Sequence, residues 1–190
     1  MDAEASSGPS DEDLMIRLKG GDSSALNQLM LRWELPVKRF VFRIVGNMSE
    51  AEDLSQEVFV RVYAKRATFR TGARFSTWCF SIAANQARNQ LRWWRRRPTT
   101  SYDAWTDAGG SDLDSSSAGE SPSAQAMRRE RVEAVKAAVS SLPIDLRTSL
   151  VLFEYEAFSV GEIAETLGCT VKAVETRLYR ARQQLRRDLL

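Results

Sequence analysis

Apolar residues recur three and four positions apart along most of the chain, which predicts an all-α protein. Helices are predicted over Asp11 to Lys19 and from about Ser23 to Val45, the second interrupted at Pro36. A third helix is predicted from Ser49, because Ser49 and Glu52 have the spacing of a capping box. Its apolar positions, which we expect to face a core, are Leu54, Val58 and Val62.

A fourth helix is predicted after the turn Arg70 to Ala73, opening at Phe75 and ending in an arginine run. Two more are predicted, from about Ser123 to Ser140 and from Pro143 to about Tyr155.

The last two predicted helices form a pair with a short turn between them. Ser159 and Glu162 make a capping box for the first of the pair, and Gly168 ends it. Thr170 can cap the second, which begins at Val171. This order predicts a helix-turn-helix, an outline shared by many helical hairpins.

Charge divides the chain, whose net charge is +2, into three parts. Residues 1–97 carry 16 bases and 11 acids, residues 98–126 five acids and no base, and residues 127–190 11 bases and 9 acids. The middle part is rich in Ser, Gly and Asp and has no apolar period, which predicts a flexible acidic linker. We therefore predict two small helical domains, over 11–97 and 127–190, after a disordered N-terminus over 1–10.

Several classes of function are disfavoured. The chain has no histidine, no phosphate-binding glycine loop and two distant cysteines, Cys79 and Cys169, which we expect to be buried thiols without a redox role. We therefore expect no enzyme, cofactor or metal site. No apolar run is long enough to span a bilayer and the N-terminus does not resemble a signal peptide, so a cytoplasmic protein without membrane insertion is expected.

The helix from Phe75 has two contrasting faces at about 100° per residue. One face, expected to be exposed, comprises Trp78, Asn85, Asn89, Arg92 and Arg96. The opposite, apolar stripe comprises Cys79, Phe80, Ala83, Ala87, Leu91 and Trp94. Guanidinium groups bind phosphates, amides bind base edges and aromatic rings stack on unpaired bases, so the first face suits nucleic acid.

The last helix has a similar division. Its predicted buried stripe is Val171, Val174, Leu178, Ala181 and Leu185. Lys172, Ala173 and Thr176 near its start, with Arg177 and Arg180, are the residues that a recognition helix would present to DNA. A solvated amphipathic helix with basic residues suited to its dipole is the plainer alternative.

Two other functions stay open on these residues. A two-domain regulator that binds duplex DNA by itself would need only the helix-turn-helix. A membrane-surface or RNA-binding adaptor would use the segment RWWRRR, since Trp and Arg both favour lipid headgroups.

Three motifs together resemble the extracytoplasmic-function sigma factors of bacterial RNA polymerase. They are AEDLSQEVFVRVY (51–63), the pattern F-x-x-W-x-x-x-I-A-x-N over 75–85, and LPIDLRTSLVLFEYEAFSVGEIAETLG with VETRLYRAR over 142–182. The resemblance extends from Asp11 to Leu189. It implies a transcription initiation factor that has two sigma domains, regions 2 and 4, and binds core polymerase and promoter DNA. It also implies an anti-sigma protein as a partner.

The resemblance assigns roles by position. It implies that the residues contacting the polymerase clamp coiled coil are Asp53, Gln56, Glu57 and Phe59. The residues that capture or hold the opened minus-ten element would be Arg70, Gly72, Arg74, Phe75, Trp78, Asn85, Arg88, Asn89, Arg92 and Arg96. The residues that read the minus-thirty-five element would be Lys172, Ala173, Thr176, Arg177 and Arg180, in a domain that also contacts the polymerase flap.

The chain departs from the usual family pattern at two of these surfaces. Glu175 stands where a basic residue is frequent, which implies a different minus-thirty-five preference, with a cytosine amine as a suitable donor to its carboxylate. Ser55 replaces a frequent aliphatic residue, so weaker packing is expected beneath the polymerase contact.

Overall fold

A computed structural model describes residues 8–96 and 122–190, and within them it confirms the predicted all-α fold. The helices in these two ranges are α1 (Asp11–Lys19), α2 (Ser24–Val45), α3 (Met48–Lys65), α4 (Phe75–Arg96), α5 (Pro122–Ser141), α6 (Ile144–Glu154), α7 (Val160–Leu167) and α8 (Val171–Leu189). A short 3-10 turn over Arg66–Thr68 follows α3.

The first four helices form a bundle around an aromatic core. Phe40, Phe75 and Phe80 have no exposed surface. The ring of Trp33 contacts the rings of Phe75 and Phe80 edge-on, with centroids 5.8 and 6.0 Å apart. Its indole nitrogen donates to Asp11 Oδ2 at 2.8 Å, which ties α1 to α2.

The predicted capping box at Ser49 is wrong. Helix α3 begins at Met48, and the side chain of Asn47 caps it by accepting a hydrogen bond from Glu50 N at 2.9 Å. Gly46 ends α2 in the left-handed region at φ 77°, so the extended residue that follows, Asn47, is the first that can cap α3.

The predicted interruption at Pro36 is also wrong, because α2 continues through this residue. Proline removes one helical hydrogen bond and crowds the preceding turn. Leu29, Val37 and Phe40, on either side of Pro36, are fully buried. Their packing holds the helix together across the missing bond.

The last four helices form the C-terminal domain. The capping box at α7 is confirmed, with Glu162 N donating to Ser159 Oγ at 3.3 Å and Ser159 N donating to Glu162 Oε2 at 2.9 Å. Gly168 ends α7 at φ 61°, and Thr170 Oγ1 accepts from Ala173 N at 3.2 Å to cap α8. Helix α5 begins at Pro122, so residues 122–126 of the predicted linker are helical. The other linker residues lie outside the described ranges, as do most of residues 1–10, and the domain bounds stay predictions.

The two domains pack against each other through α2 and α4 on one side and α6 and α7 on the other. The rings of Phe80 and Phe158 meet edge-on with centroids 5.3 Å apart. Arg147, which is 9% exposed, donates from Nη1 to the carbonyl of Ile44 at the end of α2, at 2.6 Å.

Candidate nucleic-acid and polymerase interface

The turn before α4 is held from below by α1. Lys19 Nζ donates to the carbonyl of Phe69 at 2.9 Å, and Glu12 Oε1 accepts from Phe75 N at 2.9 Å at the start of α4. Gly72 has φ 85°, with open space where a Cβ would project. The predicted minus-ten residues of this turn, Arg70 and Arg74, are exposed. The turn is thus a fixed platform with two exposed cations, and one of them, Arg74, forms an ion pair with Glu162 of α7.

Phe75 does not present its ring to solvent, contrary to the role predicted for it. It has no exposed surface because it packs against Trp33 and, at 6.4 Å between centroids, Trp78. Trp78 is half-buried and also meets Phe69 at 5.3 Å. Phe75 therefore supports the turn from the core, whereas Trp78 keeps part of its ring accessible.

Helix α4 has the two faces predicted for it. Its apolar stripe is confirmed: Cys79, Phe80, Ala83 and Ala87 are fully buried, and Leu91 and Trp94 are half-buried against the core. On the opposite side four predicted minus-ten residues are exposed and form a ridge, named here the α4 ridge: Asn85, Asn89, Arg92 and Arg96. The ridge offers amides first and guanidiniums toward the helix end.

Arg88 does not lie on the α4 ridge. Its side chain is 14% exposed, and its Nη2 lies 2.9 Å from Asp145 Oδ1 at the start of α6. Burial lowers the pKa of Arg88, which the carboxylate of Asp145 raises, while the positive charges of Arg177 and Arg92 lower it further. This predicted minus-ten residue therefore faces the C-terminal domain in this structure.

The predicted polymerase surface lies along α3. Asp53 and Gln56 are exposed, and Glu57 forms an ion pair with Arg61 at 2.9 Å. Phe59 is 2% exposed and belongs to the core, so its predicted direct contact with polymerase is not supported. Phe59 lies one position after Val58 and three before Val62, both of which are buried, and this helical spacing is the sequence signal that places Phe59 in the core.

Val60 is an exposed residue of this surface that the sequence reading missed. It is 60% exposed, four positions after Gln56 on the same side of α3. Ser55 is buried beneath this surface, and its hydroxyl donates to the carbonyl of Glu52 at 2.8 Å. The polar atom that replaces an aliphatic side chain there is thus hydrogen-bonded.

A groove between α3 and α4 connects the polymerase surface with the α4 ridge. It is lined by Leu54, Glu57, Arg61, Gln86, Asn89, Gln90, Trp93 and Arg96. Gln90 Nε2 donates to Glu50 Oε2 at 2.8 Å, which links the two helices across it. Trp93, 44% exposed, gives the groove an aromatic wall.

Most of the residues predicted to read the minus-thirty-five element are at least partly exposed on the helix-turn-helix. Lys172 and Arg180 are exposed, while Ala173 and Thr176 are partly exposed. The hydroxyl of Thr176 donates to the carbonyl of Lys172 at 2.8 Å and keeps its lone pairs for accepting. Arg177 is turned toward the helix-turn-helix turn, where its Nη1 lies 3.3 Å from Cys169 Sγ.

The buried stripe of α8 is shorter than predicted. Val174, Leu178 and Ala181 are buried and Leu185 packs against the core, but Val171 is 49% exposed because it is the first residue of the helix. Two side chains not assigned to the site are exposed beside the predicted readers. Tyr179 is 64% exposed, and Glu175 lies 3.5 Å from Lys172 Nζ through its Oε2.

The two cysteines differ in their surroundings. Cys79 is buried, as predicted, and burial raises the pKa of its thiol to about 12, with the charge of Asp11 adding to the effect. A thiol with this pKa is unreactive at neutral pH. Cys169 is only partly buried, because it lies in the turn between α7 and α8.

Within residues 8–96 and 122–190, no group of three or more Cys, Asp or Glu side chains is arranged to hold a metal ion. In the same residues no helix has the length and apolar character needed to cross a membrane.

Comparisons with known proteins agree with this organisation. Residues 29–97 match the family described as sigma-70 region 2, and residues 132–185 match sigma-70, region 4. The RNA polymerase sigma-H factor of Pseudomonas aeruginosa is 34% identical over 180 residues, covering 94% of this chain and 93% of that protein. The ECF RNA polymerase sigma-E factor of Escherichia coli K12 is 33% identical, covering 92% of each.

Two solved structures share the fold. CnrH in complex with the cytosolic domain of CnrY is similar at a TM-score of 0.65 and 23% identity, covering 92% of this chain and 94% of that one. The sigma factor RpoE in complex with the anti-sigma factor NepR, from Bartonella quintana, gives a TM-score of 0.67 at 22% identity, covering 86% of this chain and 95% of that one. From the two matched regions and the identity along nearly its whole length, we conclude that this chain belongs to the extracytoplasmic-function sigma factors, which are non-enzymatic transcription initiation factors of bacterial RNA polymerase.

Proposed function

We propose that this sigma factor recognises both elements of its promoters and opens the duplex at the minus-ten element, acting in the cytoplasm with core RNA polymerase. The observation that carries this proposal is the α4 ridge, continuous with the platform of Arg70 and Arg74. One edge of the N-terminal domain thereby offers cations, amides and a partly exposed tryptophan in sequence.

Opening the duplex in this way requires no catalytic side chain. Unstacking a base costs a few kcal/mol, and its capture on the protein offsets that cost. In our proposal the platform and Trp78 hold the displaced base, while Arg92 and Arg96 bind phosphates of the same strand. Asn85 and Asn89 then read base edges, since amides both donate and accept hydrogen bonds.

The second promoter element is assigned to α8. Lys172, Ala173 and Thr176 lie on the first turns of the helix, where a recognition helix contacts bases, and Arg180 extends from the same exposed side. Arg177 joins them once its guanidinium turns away from Cys169. Two modest DNA-binding surfaces gain affinity when one polymerase holds both.

Polymerase binding is assigned to the exposed side of α3. Asp53, Gln56 and Glu57 supply polar groups around the apolar Val60, a composition suited to a protein interface. The clamp coiled coil is the proposed partner there, and the flap is the proposed partner of the C-terminal domain. The domain bounds that accompany this proposal are 11–97 and 127–190, with the acidic residues 98–126 between them, of which 122–126 are helical.

An anti-sigma protein is a further proposed partner. The solved structure of RpoE with its anti-sigma factor NepR shares the fold of this chain, and that of CnrH holds the cytosolic domain of CnrY. A protein that covers the α3 surface would block polymerase binding without any chemical change in the sigma factor.

Strand opening is tested with 2-aminopurine, which becomes fluorescent on unstacking, placed at the minus-ten position of a promoter. The full chain with core polymerase is expected to raise the fluorescence. Asn85→Ala and Arg92→Ala should abolish the rise, whereas Arg129→Ala, a matched loss of an exposed arginine from α5, should preserve it. Equal opening by all three variants would refute the assignment to the α4 ridge.

A further inference from the structure

The contact between the two domains involves residues that the proposed function needs elsewhere. Arg88 is paired with Asp145, at the start of α6. Arg74, on the platform before α4, is paired with Glu162, which belongs to the capping box of α7. Two of the predicted minus-ten cations thus have carboxylates of the C-terminal domain as their partners.

These carboxylates bind the guanidinium groups that would bind DNA phosphates in the proposed function. A guanidinium binds either anion through the same N–H donors. Asp145 keeps a half-exposed side chain and Glu162 a quarter-exposed one. Arg88 is largely covered, whereas Arg74 remains 72% exposed beside its partner. A strand approaching α4 would therefore have to displace the C-terminal domain before its phosphates could reach Arg88.

An apolar contact lies beside the two ion pairs. Phe158, between α6 and α7, packs its ring against Phe80 of α4. Arg43 of α2 adds a second link, since its guanidinium lies 4.3 Å from the ring centre of Tyr155 and 3.6 Å from Glu156 Oε1. The contact is continuous with the core of both domains and does not rest on one pair.

The contact between the domains leaves hydrogen-bond donors of Arg88 unsatisfied. Among the described residues, the buried Nε and Nη2 of this side chain have no acceptor in hydrogen-bond geometry, although Nη2 is close enough to Asp145 for an ion pair. A buried cation with unsatisfied donors disfavours the state that buries it. The contact is therefore suited to being opened by a partner that holds the domains apart.

We propose that the packed arrangement is an autoinhibited state of the free sigma factor, in which Asp145 covers Arg88 and Glu162 pairs with the exposed Arg74 until the two domains separate. This inference rests on the proposed function, because it assigns the two arginines to the opened strand. Separation, rather than a change within either domain, then creates the complete minus-ten surface.

The test compares the full chain with the double variant Asp145→Asn with Glu162→Gln. Glutamine keeps a capping box at α7 and asparagine is nearly the same size as aspartate, so both helices should form. The matched control is Glu130→Gln with Glu165→Gln, which removes two exposed acids of the same domain. The two double variants carry equal net charge.

Binding is measured by fluorescence anisotropy with a labelled pool of random 12-nucleotide single-stranded DNA, and domain separation by small-angle X-ray scattering. The double variant is expected to bind about tenfold more tightly than the unmodified chain, which is a strengthening of about 1.4 kcal/mol. Its radius of gyration should also be larger. The control should stay within about twofold of the unmodified chain, as expected for exposed charges.

Two further variants separate the mechanism from a general effect of charge. Adding Arg88→Ala to the double variant should remove most of the gain in binding. Phe158→Ala, which changes no charge, should also enlarge the radius of gyration and strengthen binding. Affinities and radii equal to those of the control in both the double variant and Phe158→Ala would overturn the proposal.

The outcome is independent of whether the chain is active. If these variants behave like the control while the chain still opens promoters with core polymerase, the autoinhibited state is refuted and the proposed function stands. If Asp145→Asn with Glu162→Gln strengthens binding but no variant opens a promoter, the domain contact stands and the proposed function fails.

Discussion

Arg147 connects the ends of two helices, and its replacement by methionine should weaken the contact between the domains. Its guanidinium donates to the carbonyl of Ile44 at 2.6 Å, in the last turn of α2, and to that of Leu142 at 3.2 Å. It also donates to the carbonyl of Ser140, near the end of α5. Carbonyls at helix ends lack helical partners and carry partial negative charge, so a buried cation suits them.

The magnitude follows from these three contacts. A hydrogen bond from a charged donor contributes about 1.5–3 kcal/mol, but bonds from one group are not additive. Methionine also relieves the desolvation of a buried cation while filling much of its volume. We expect Arg147→Met to lower the free energy of unfolding by about 2–4 kcal/mol, below the sum of three such bonds.

Urea unfolding followed by two signals tests this expectation. Four of the five tryptophans lie within residues 11–97 and the fifth, Trp105, lies in the predicted linker, so tryptophan fluorescence reports mainly on the N-terminal domain, whereas circular dichroism at 222 nm reports on both domains. In Arg147→Met the dichroism should begin to fall before the fluorescence changes.

The control for this experiment is Arg182→Met, which breaks an exposed ion pair with Glu154 at 3.0 Å and removes a guanidinium 5.1 Å from the ring centre of Phe153, and should cost at most about 1 kcal/mol. Coincident transitions and a loss below about 0.5 kcal/mol for Arg147→Met would refute the reasoning.

Three other expectations follow. Thr77→Val should raise the free energy of unfolding by about 1 kcal/mol, since the buried hydroxyl has no hydrogen-bond partner among the described residues. Thr148→Val should lower the free energy of unfolding, because it loses a 2.7 Å hydrogen bond to Ile144 O. Urea titration of the two variants checks both signs. Glu175→Gln should relax the preference for cytosine at one minus-thirty-five position in a selection from random promoters, and an unchanged preference would exclude Glu175 as a reader. Hydrogen bonds from Ser159 hold the pKa of Glu162 below its ordinary value of 4.5. The stability that this carboxylate contributes is therefore complete above that pH and lost as the pH falls through the lowered pKa, so Ser159→Ala should destabilise the chain at pH 6 more than at pH 3.

Sequence periodicity was sufficient to predict the helices and the stripe that α4 buries. It failed at Ser49, where the left-handed Gly46 makes Asn47 the cap, and at Pro36, where buried neighbours on both sides hold the helix together. The first failure was local, because the cap lies two residues before the predicted one; the second came from the burial of Leu29, Val37 and Phe40 in the core.

Some of the site residues could be placed from the sequence, and others could not. The exposure of Asn85 and Arg92 follows from their positions on the helix, because the wheel depends only on spacing. The burial of Phe75 depends on Trp33, and that of Arg88 on Asp145, both far away along the chain. Side-chain pairing across the two domains has no local signal, so the domain contact could not be predicted.

Run-off transcription with core bacterial RNA polymerase on a randomised promoter library, with and without the purified chain, tests the central claim most directly. Transcripts selected by sequence should appear only when the chain is present, and should disappear when Asn85 and Arg92 are both changed to Ala. An absence of chain-dependent transcripts from the folded protein with polymerase of a compatible host, or transcripts that persist in the double variant, would contradict promoter opening by the α4 ridge.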